Sequence, residues 1–280
     1  MPSPLQEALR SWAPPVGVNP AIALSVYLYL AGWWRLRKAH AFAISGWHLA
    51  AYASGMFALW LAIGSPLEAL DDSSLLAHMV QHLLLMIVAP PLILLGAPAL
   101  PLLHGLPSWI VRGPLGGLLR IRTVQRIGQF LTEPLVCWIS AIVAMIAWHV
   151  PSLFELALRS DGWHEFEHAC FLGTSILFWW PVVQPWPSVA RWPRWTMPLY
   201  LLLGAIAGST VSAYLTFSDA VLYPSYASAP RIFGLSPIDD QVAAGALMWF
   251  AMTIAFLVPA VVLTVRYLSP EPARRNAHAS

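Results

Sequence analysis

Charge is what this sequence has least of. Only 10% of its 280 residues are Asp, Glu, Lys or Arg, where a soluble domain carries about 25%. So few charges cannot keep a whole surface wet, which excludes an ordinary soluble domain and implies lipid as the solvent. Strong net charge is missing too. A value of +2, with no basic run interleaved with aromatics, predicts no nucleic acid among the partners. Cysteine is scarce: Cys137 and Cys170 form neither a CxxC motif nor a disulfide framework. The N-terminal stretch MPSPLQEALRSWAPP lacks a charged segment followed by an apolar one, and does not read as a cleaved leader. There is no internal repeat and no low-complexity tract.

What the chain has in excess is apolar side chains, 58%, and 15 tryptophans, whose rings favour the membrane–water interface. A spanning helix needs about 20 mostly apolar residues. Seven runs meet that need: 19–37, 41–63, 74–96, 128–150, 163–183, 197–218 and 239–267. The predicted fold is all-α, a polytopic membrane protein built as a seven-transmembrane helix bundle. Residues 1–18 form an N-terminal periplasmic segment, 19–267 the transmembrane domain and 268–280 a cytoplasmic tail. Pro90 and Pro91 inside the third run should kink it, with neighbouring helices satisfying the freed carbonyls.

Lys and Arg set the direction. Twelve of the fifteen lie at one set of ends: Arg35, Arg37, Lys38, Arg112, Arg120, Arg122, Arg126, Arg191, Arg194, Arg266, Arg274 and Arg275. Arg10, Arg159 and Arg231 lie at the other. The positive-inside rule then puts the N-terminus outside and the C-terminus in the cytoplasm. The 97–127 loop and the segment LLRIRTVQRIGQFL are expected to include an amphipathic stretch on the inner face.

With the direction fixed, polar residues can be placed by depth. His78 and His82, in SSLLAHMVQHLLLMIVAPPLILLGAP, are four apart and so share a helix face near the outer surface. Met86 continues that face one turn deeper. His149 ends the fourth run outside, with Met145 one turn below it. His164 and His168 open the fifth. Asp239 and Asp240 open the seventh, with Met248 two turns deeper, and Asp71 and Asp72 precede the third. One buried histidine needs no more than a hydrogen bond to nearby backbone. Several at one membrane depth on separate helices mark a functional site facing the bundle interior. The candidate metal ligands are His78, His82, His149, His168, Asp240, His164, Met86 and Met248. Neutral imidazole suits copper, zinc and iron, and thioether tips the choice towards copper. His40 and His104 are expected to be solvated on the inner side, His278 to lie in a polar tail, His48 to pack, and Glu133 to reach the interface.

HEFEH at 164–168 also satisfies H-E-x-x-H, in which His164 and His168 would hold zinc with Glu165 as general base. An intramembrane zinc metalloprotease is therefore one alternative. A b-type cytochrome using paired histidines for haem is a second, and a transporter or proton channel a third. The protease reading leaves His78 and His82 without a role.

The stretch AHMVQHLLLMIVAPPLILLGAP (77–98), followed in order by AWHVPSLFELAL, EHACFLGTSILFWWPVV and DQVAAGALMW, resembles the multi-span CtaG family of bacterial cytochrome c oxidase assembly factors. The likeness covers about residues 40–267. It implies a seven-span fold in the cytoplasmic (inner) membrane and carries His78, Met79, His82, His149, His168, Asp240, Gln241 and Met248 as motif positions. It further implies no enzyme but a factor that inserts copper into the oxidase haem–copper centre. The partners implied are an oxidase subunit, a periplasmic copper carrier and the lipid bilayer. Copper is the cofactor expected, with zinc or haem as the alternatives.

Overall fold

The structure, a computed structural model, describes residues 4–38, 45–185, 188 and 190–269. Among them every regular element is helical. The principal helices are α1 (Pro4–Ser11), α2 (Val18–Lys38), α3 (Gly46–Ile63), α4 (Leu75–Leu95), α5 (Ala99–Gly105), α6 (Arg122–Leu131), α7 (Pro134–His149), α8 (Pro151–Leu158), α9 (Asp161–Val183), α10 (Met197–Thr216) and α11 (Pro237–Leu268). Short turns of helix join several of them. The readings for His40 and His278 fall outside the described residues.

A helix lies on each of the seven apolar runs, but the runs are not equally strong as membrane crossings. Among the described residues, α3, α4, Arg194–Thr216 and α11 are long and apolar enough to cross a bilayer. α6 and α7 add a fifth crossing if that bent pair counts as one. α2 and α9 have the length, 21 and 23 residues, but α2 ends in Arg35, Arg37 and Lys38 and α9 begins with Asp161, Glu165 and Glu167. One predicted boundary is corrected. The run 128–150 is not a single rod: α6 meets α7 at 65°. Glu133 is extended and Pro134 opens the new helix, a position where its missing N–H costs nothing. α6 buries no residue and exposes Ile127 and Phe130, as expected of an amphipathic segment.

α4 is regular except for a π turn over Leu84–Val88, just before Pro90 and Pro91. Neither proline can donate to the Met86 carbonyl, which lies four and five residues before them. The indole of Trp179 on α9 donates to it instead, at 3.0 Å. The carbonyl that the prolines leave free is thus satisfied from a neighbouring helix, as the sequence predicted.

Small residues let the rods approach closely. Along α10, Gly204 and Gly208 face Phe178 and Met252, and Gly245 of α11 faces Thr216. A Cβ at Gly32 of α2 would strike the Pro101 carbonyl of α5, and one at Gly105 the Leu28 carbonyl. Tyr29 stacks on Tyr52 at 3.9 Å and donates to the Gly96 carbonyl at 2.7 Å. These contacts tie α2, α3 and the α4–α5 turn together. At the arginine-rich end, Arg35 donates to the His104 carbonyl at 2.6 Å, and Arg191 pairs with Glu133 at 3.1 Å. His104 is exposed, with Nδ1 2.9 Å from the Leu100 carbonyl. His48 sits at the start of α3 with Nδ1 3.1 Å from Ser45 Oγ.

Candidate metal centre

Three helices bring imidazoles to one buried pocket at the end of the bundle opposite most of the arginines. α4 supplies His78 and His82, one turn apart. α7 supplies His149 at its last residue, and α9 supplies His164 and His168 in its first two turns. Ring centroids are 4.3 Å apart for His78–His82, 4.2 Å for His164–His168, 5.2 Å for His78–His164, 5.7 Å for His82–His168 and 6.3 Å for His82–His149. The five predicted histidines are therefore neighbours.

A carboxylate sits among them that was not among the predicted ligands. Glu167 is fully buried on α9, with its oxygens 3.6 Å from His82 Nε2 and 3.8 Å from His78 Nε2. It lies three residues after His164 and one before His168, so helical spacing alone places it near their face. That signal is legible in HEFEH, although the motif alone does not say which of Glu165 and Glu167 faces inward. A second carboxylate, Asp71, comes from the 3-10 turn Pro66–Ser73 that precedes α4. Its Oδ2 is 3.6 Å from His164 Nε2.

These separations suit metal ligands better than hydrogen-bond partners. An N–H···O bond spans about 2.7–3.2 Å. Two donors on one ion at about 2.0–2.2 Å, arranged tetrahedrally or trigonally, lie roughly 3.3–3.8 Å apart. Two groups have all their ligand atoms within 4.8 Å of one another: Asp71, His78 and His164, and His78, His82 and Glu167. Among the described residues, both ring nitrogens of His78 and His82 make no hydrogen bond though buried. The same holds for Nε2 of His149, His164 and His168, both oxygens of Glu167 and Oδ2 of Asp71. A buried polar atom without a partner costs about 1–3 kcal/mol, so such a concentration at one place is a poor structural plug and a good cation cage.

His149 has one ring nitrogen committed to the backbone. Its Nδ1 lies 2.7 Å from the Met145 carbonyl. A carbonyl only accepts, so Nδ1 carries the proton and Nε2 keeps its lone pair. Such a second hydrogen bond orients a metal-binding imidazole.

The pocket is walled and covered by aromatics. Phe171 lies 4.5 Å from His82, and Phe154 lies 4.9 Å from His78. Tyr223 stacks on Phe154 at 4.0 Å and donates to the His149 carbonyl at 3.1 Å. Tyr226 donates to the Asp71 carbonyl at 2.7 Å. Glu155 of α8 pins this cover by accepting from the Ser225 N–H at 3.0 Å and from its hydroxyl at 2.7 Å. Gln241 holds the same connection through the Leu222 N–H, at 2.8 Å, and the Ala220 carbonyl, at 3.1 Å. Asp71, outside the spans, has its carboxyl pushed up to about 8 by burial and by the charges of Asp72 and Glu68, against the Asp72 N–H at 2.7 Å.

One predicted ligand is engaged elsewhere. Asp240 does not present free oxygens to the histidines. One of them accepts from the Ser74 hydroxyl at 2.9 Å and the Leu76 N–H at 3.2 Å, and the other accepts from the Leu75 N–H at 2.7 Å. It caps the N-terminus of α4, where exposed N–H groups and the helix dipole attract a carboxylate. Met86 and Met248 are buried in the apolar core. Glu165, the general base of the protease reading, is exposed, and Glu167 occupies the inward position beside it. Cys137 is buried at the opposite end, its thiol donating to the Leu131 carbonyl.

The family described as cytochrome c oxidase caa3 assembly factor (Caa3_CtaG) matches residues 27–269. The chain belongs to this family. The match takes in every residue of the histidine pocket and the connection that covers it. Among curated relatives, uncharacterized proteins of Mycobacterium bovis, Mycobacterium tuberculosis and Mycobacterium leprae are each 25% identical over 90% of this chain. The chain spans 39% of the length of these relatives. No solved structure matches it.

Proposed function

We propose that this protein is a membrane assembly factor for a cytochrome c oxidase, and that its buried histidine–carboxylate pocket carries copper bound for the oxidase haem–copper centre. The observation that carries this is the set of imidazoles and one glutamate, mutually spaced as ligands and without hydrogen bonds, in a member of an oxidase assembly family. The donor set is nitrogen and oxygen, which accepts copper and zinc alike. Copper is favoured by the cargo that a haem–copper oxidase needs.

The chain crosses the bacterial cytoplasmic membrane seven times, N-terminus outside. Support comes from helices on all seven apolar runs and from the twelve-to-three distribution of Lys and Arg. The pocket then opens beneath the periplasmic surface, where a periplasmic carrier would deliver the ion. Transfer proceeds by ligand exchange, from carrier to pocket to oxidase subunit, and no covalent bond of an organic substrate is made or broken. His78 and His82 hold the ion, Glu167 offsets its charge, His149 presents Nε2, and Phe154, Phe171, Tyr223 and Tyr226 keep water out. A cage of histidine with carboxylate releases copper more readily than a thiolate cluster would, which suits a cargo site.

The test is elemental analysis of detergent-purified protein beside the double variant His78→Ala/His82→Ala, together with oxidase maturation in cells carrying each. Copper in the wild type, loss of it in the variant and loss of oxidase activity at normal membrane abundance are expected. Normal oxidase activity in the variant would overturn the reading.

A further inference from the structure

The pocket holds two ligand groups, and they overlap in one residue. Asp71, His78 and His164 form one, and His78, His82 and Glu167 form the other. They differ in access. The His164 side chain is 19% exposed, whereas His78 and Glu167 are 0% exposed and His82 is 1% exposed. They differ in position along the rods as well. Asp71 belongs to the turn before α4 and His164 to the first turn of α9, while His82 and Glu167 each lie about one turn further in.

We propose that these are two positions on one transfer path: an outer position, Asp71–His78–His164, that receives the ion, and an inner position, His78–His82–Glu167, that stores it. His78 is the ligand common to both. This inference rests on the metal-handling reading of the pocket and adds to it a direction and an order of events.

The chemistry of His78 sets the stoichiometry. A neutral imidazole carries its proton on one ring nitrogen and offers a lone pair on the other. It therefore serves one ion at a time, and the two positions are alternatives. Moving inward, the ion loses its bonds to Asp71 and His164 and gains bonds to His82 and Glu167. Ligand count and charge are conserved, one carboxylate replacing another and one imidazole replacing another. A step that conserves both leaves its two end states close in electrostatic energy even in a low-dielectric interior. His149 and His168 also have Nε2 atoms free of hydrogen bonds, but they belong to neither group.

The experiment uses the full chain in detergent with Cu(I) as the probe, buffered by a chromophoric chelator. It reads stoichiometry, affinity and the rate of chelator bleaching in stopped flow. Wild type takes up one Cu(I) per chain. His164→Asn, a change at the partly exposed ring, slows loading by about tenfold or more, while affinity changes much less. Glu167→Gln and His82→Asn weaken affinity by about 10–100-fold, the effect of disturbing a metal's immediate surroundings. Asp71→Asn, an isosteric change, repeats the His164 phenotype and guards against misfolding in either variant. Two Cu(I) bound together in wild type would overturn the proposal. So would His164→Asn and Glu167→Gln acting alike on both rate and affinity, which leaves a single metal site standing. Wild type that binds no Cu(I) overturns the metal-handling reading itself.

Discussion

The indole Nε1 of Trp179 on α9 donates to the main-chain carbonyl of Met86 on α4 at 3.0 Å. The bond couples the two helices that carry most of the histidine pocket. It does so at the point where Pro90 and Pro91 leave α4 without its own donor. Trp179→Phe keeps the ring's bulk and removes the N–H, stranding a buried carbonyl at a cost of about 1–3 kcal/mol. Thermal unfolding in detergent should show the loss. Because His82 lies one turn before Met86, copper affinity should fall with it; an unchanged melting temperature would show that the carbonyl finds another donor.

Asp240 should behave as a cap. Asp240→Ala removes acceptors for the Ser74 hydroxyl and two backbone N–H groups at the start of α4, and loss of such a cap costs about 1–2 kcal/mol. The protein should melt earlier yet still bind copper at wild-type stoichiometry below its melting temperature. If stoichiometry is lost while the fold persists, Asp240 is a ligand after all.

Glu155 and Ser225 test the cover. Ser225→Ala removes the hydroxyl that donates to Glu155 at 2.7 Å and leaves the backbone bond at 3.0 Å. Hydrogen exchange over residues 219–236 should speed up by roughly fivefold, equivalent to about 1 kcal/mol for one hydrogen bond. Exchange within α10 should stay as it is.

Asp71 gives a pH dependence with a definite sign. Its carboxyl is held at about 8 in the folded chain and starts from the ordinary 3.8. Between those values the folded state binds one more proton than the unfolded state. Its contribution to stability is therefore complete below pH ~4 and is lost as pH rises towards ~8. Between pH 5 and pH 8, metal-free wild type should therefore lose stability relative to Asp71→Asn, read as the change in the difference between their melting temperatures. An unaltered slope in Asp71→Asn would place the dependence on other groups.

Much of this protein was legible in one dimension. Low charge, long apolar runs and the side on which arginine falls are properties of composition, and a bilayer responds to composition directly. For that reason the helices lie on the seven predicted runs. The i,i+4 spacing of His78/His82 and of His164/His168 likewise fixed their shared faces, since the helix repeat needs no partner. The break in the backbone bonding before Pro90 was equally local.

What needed the tertiary structure was every relation between rods. Asp240 and Glu167 are both carboxylates at the start of an apolar helix, and nothing in their local sequence says which caps and which faces the histidines. That depends on which helix end lies alongside: Asp240 meets the free N–H groups of α4, while Glu167 meets the flanks of His78 and His82. Asp71 joins the pocket only because the fold brings its turn within 3.6 Å of His164 on α9. Helical period determines which residues share a face; packing determines what that face meets, and ligation is a property of what it meets.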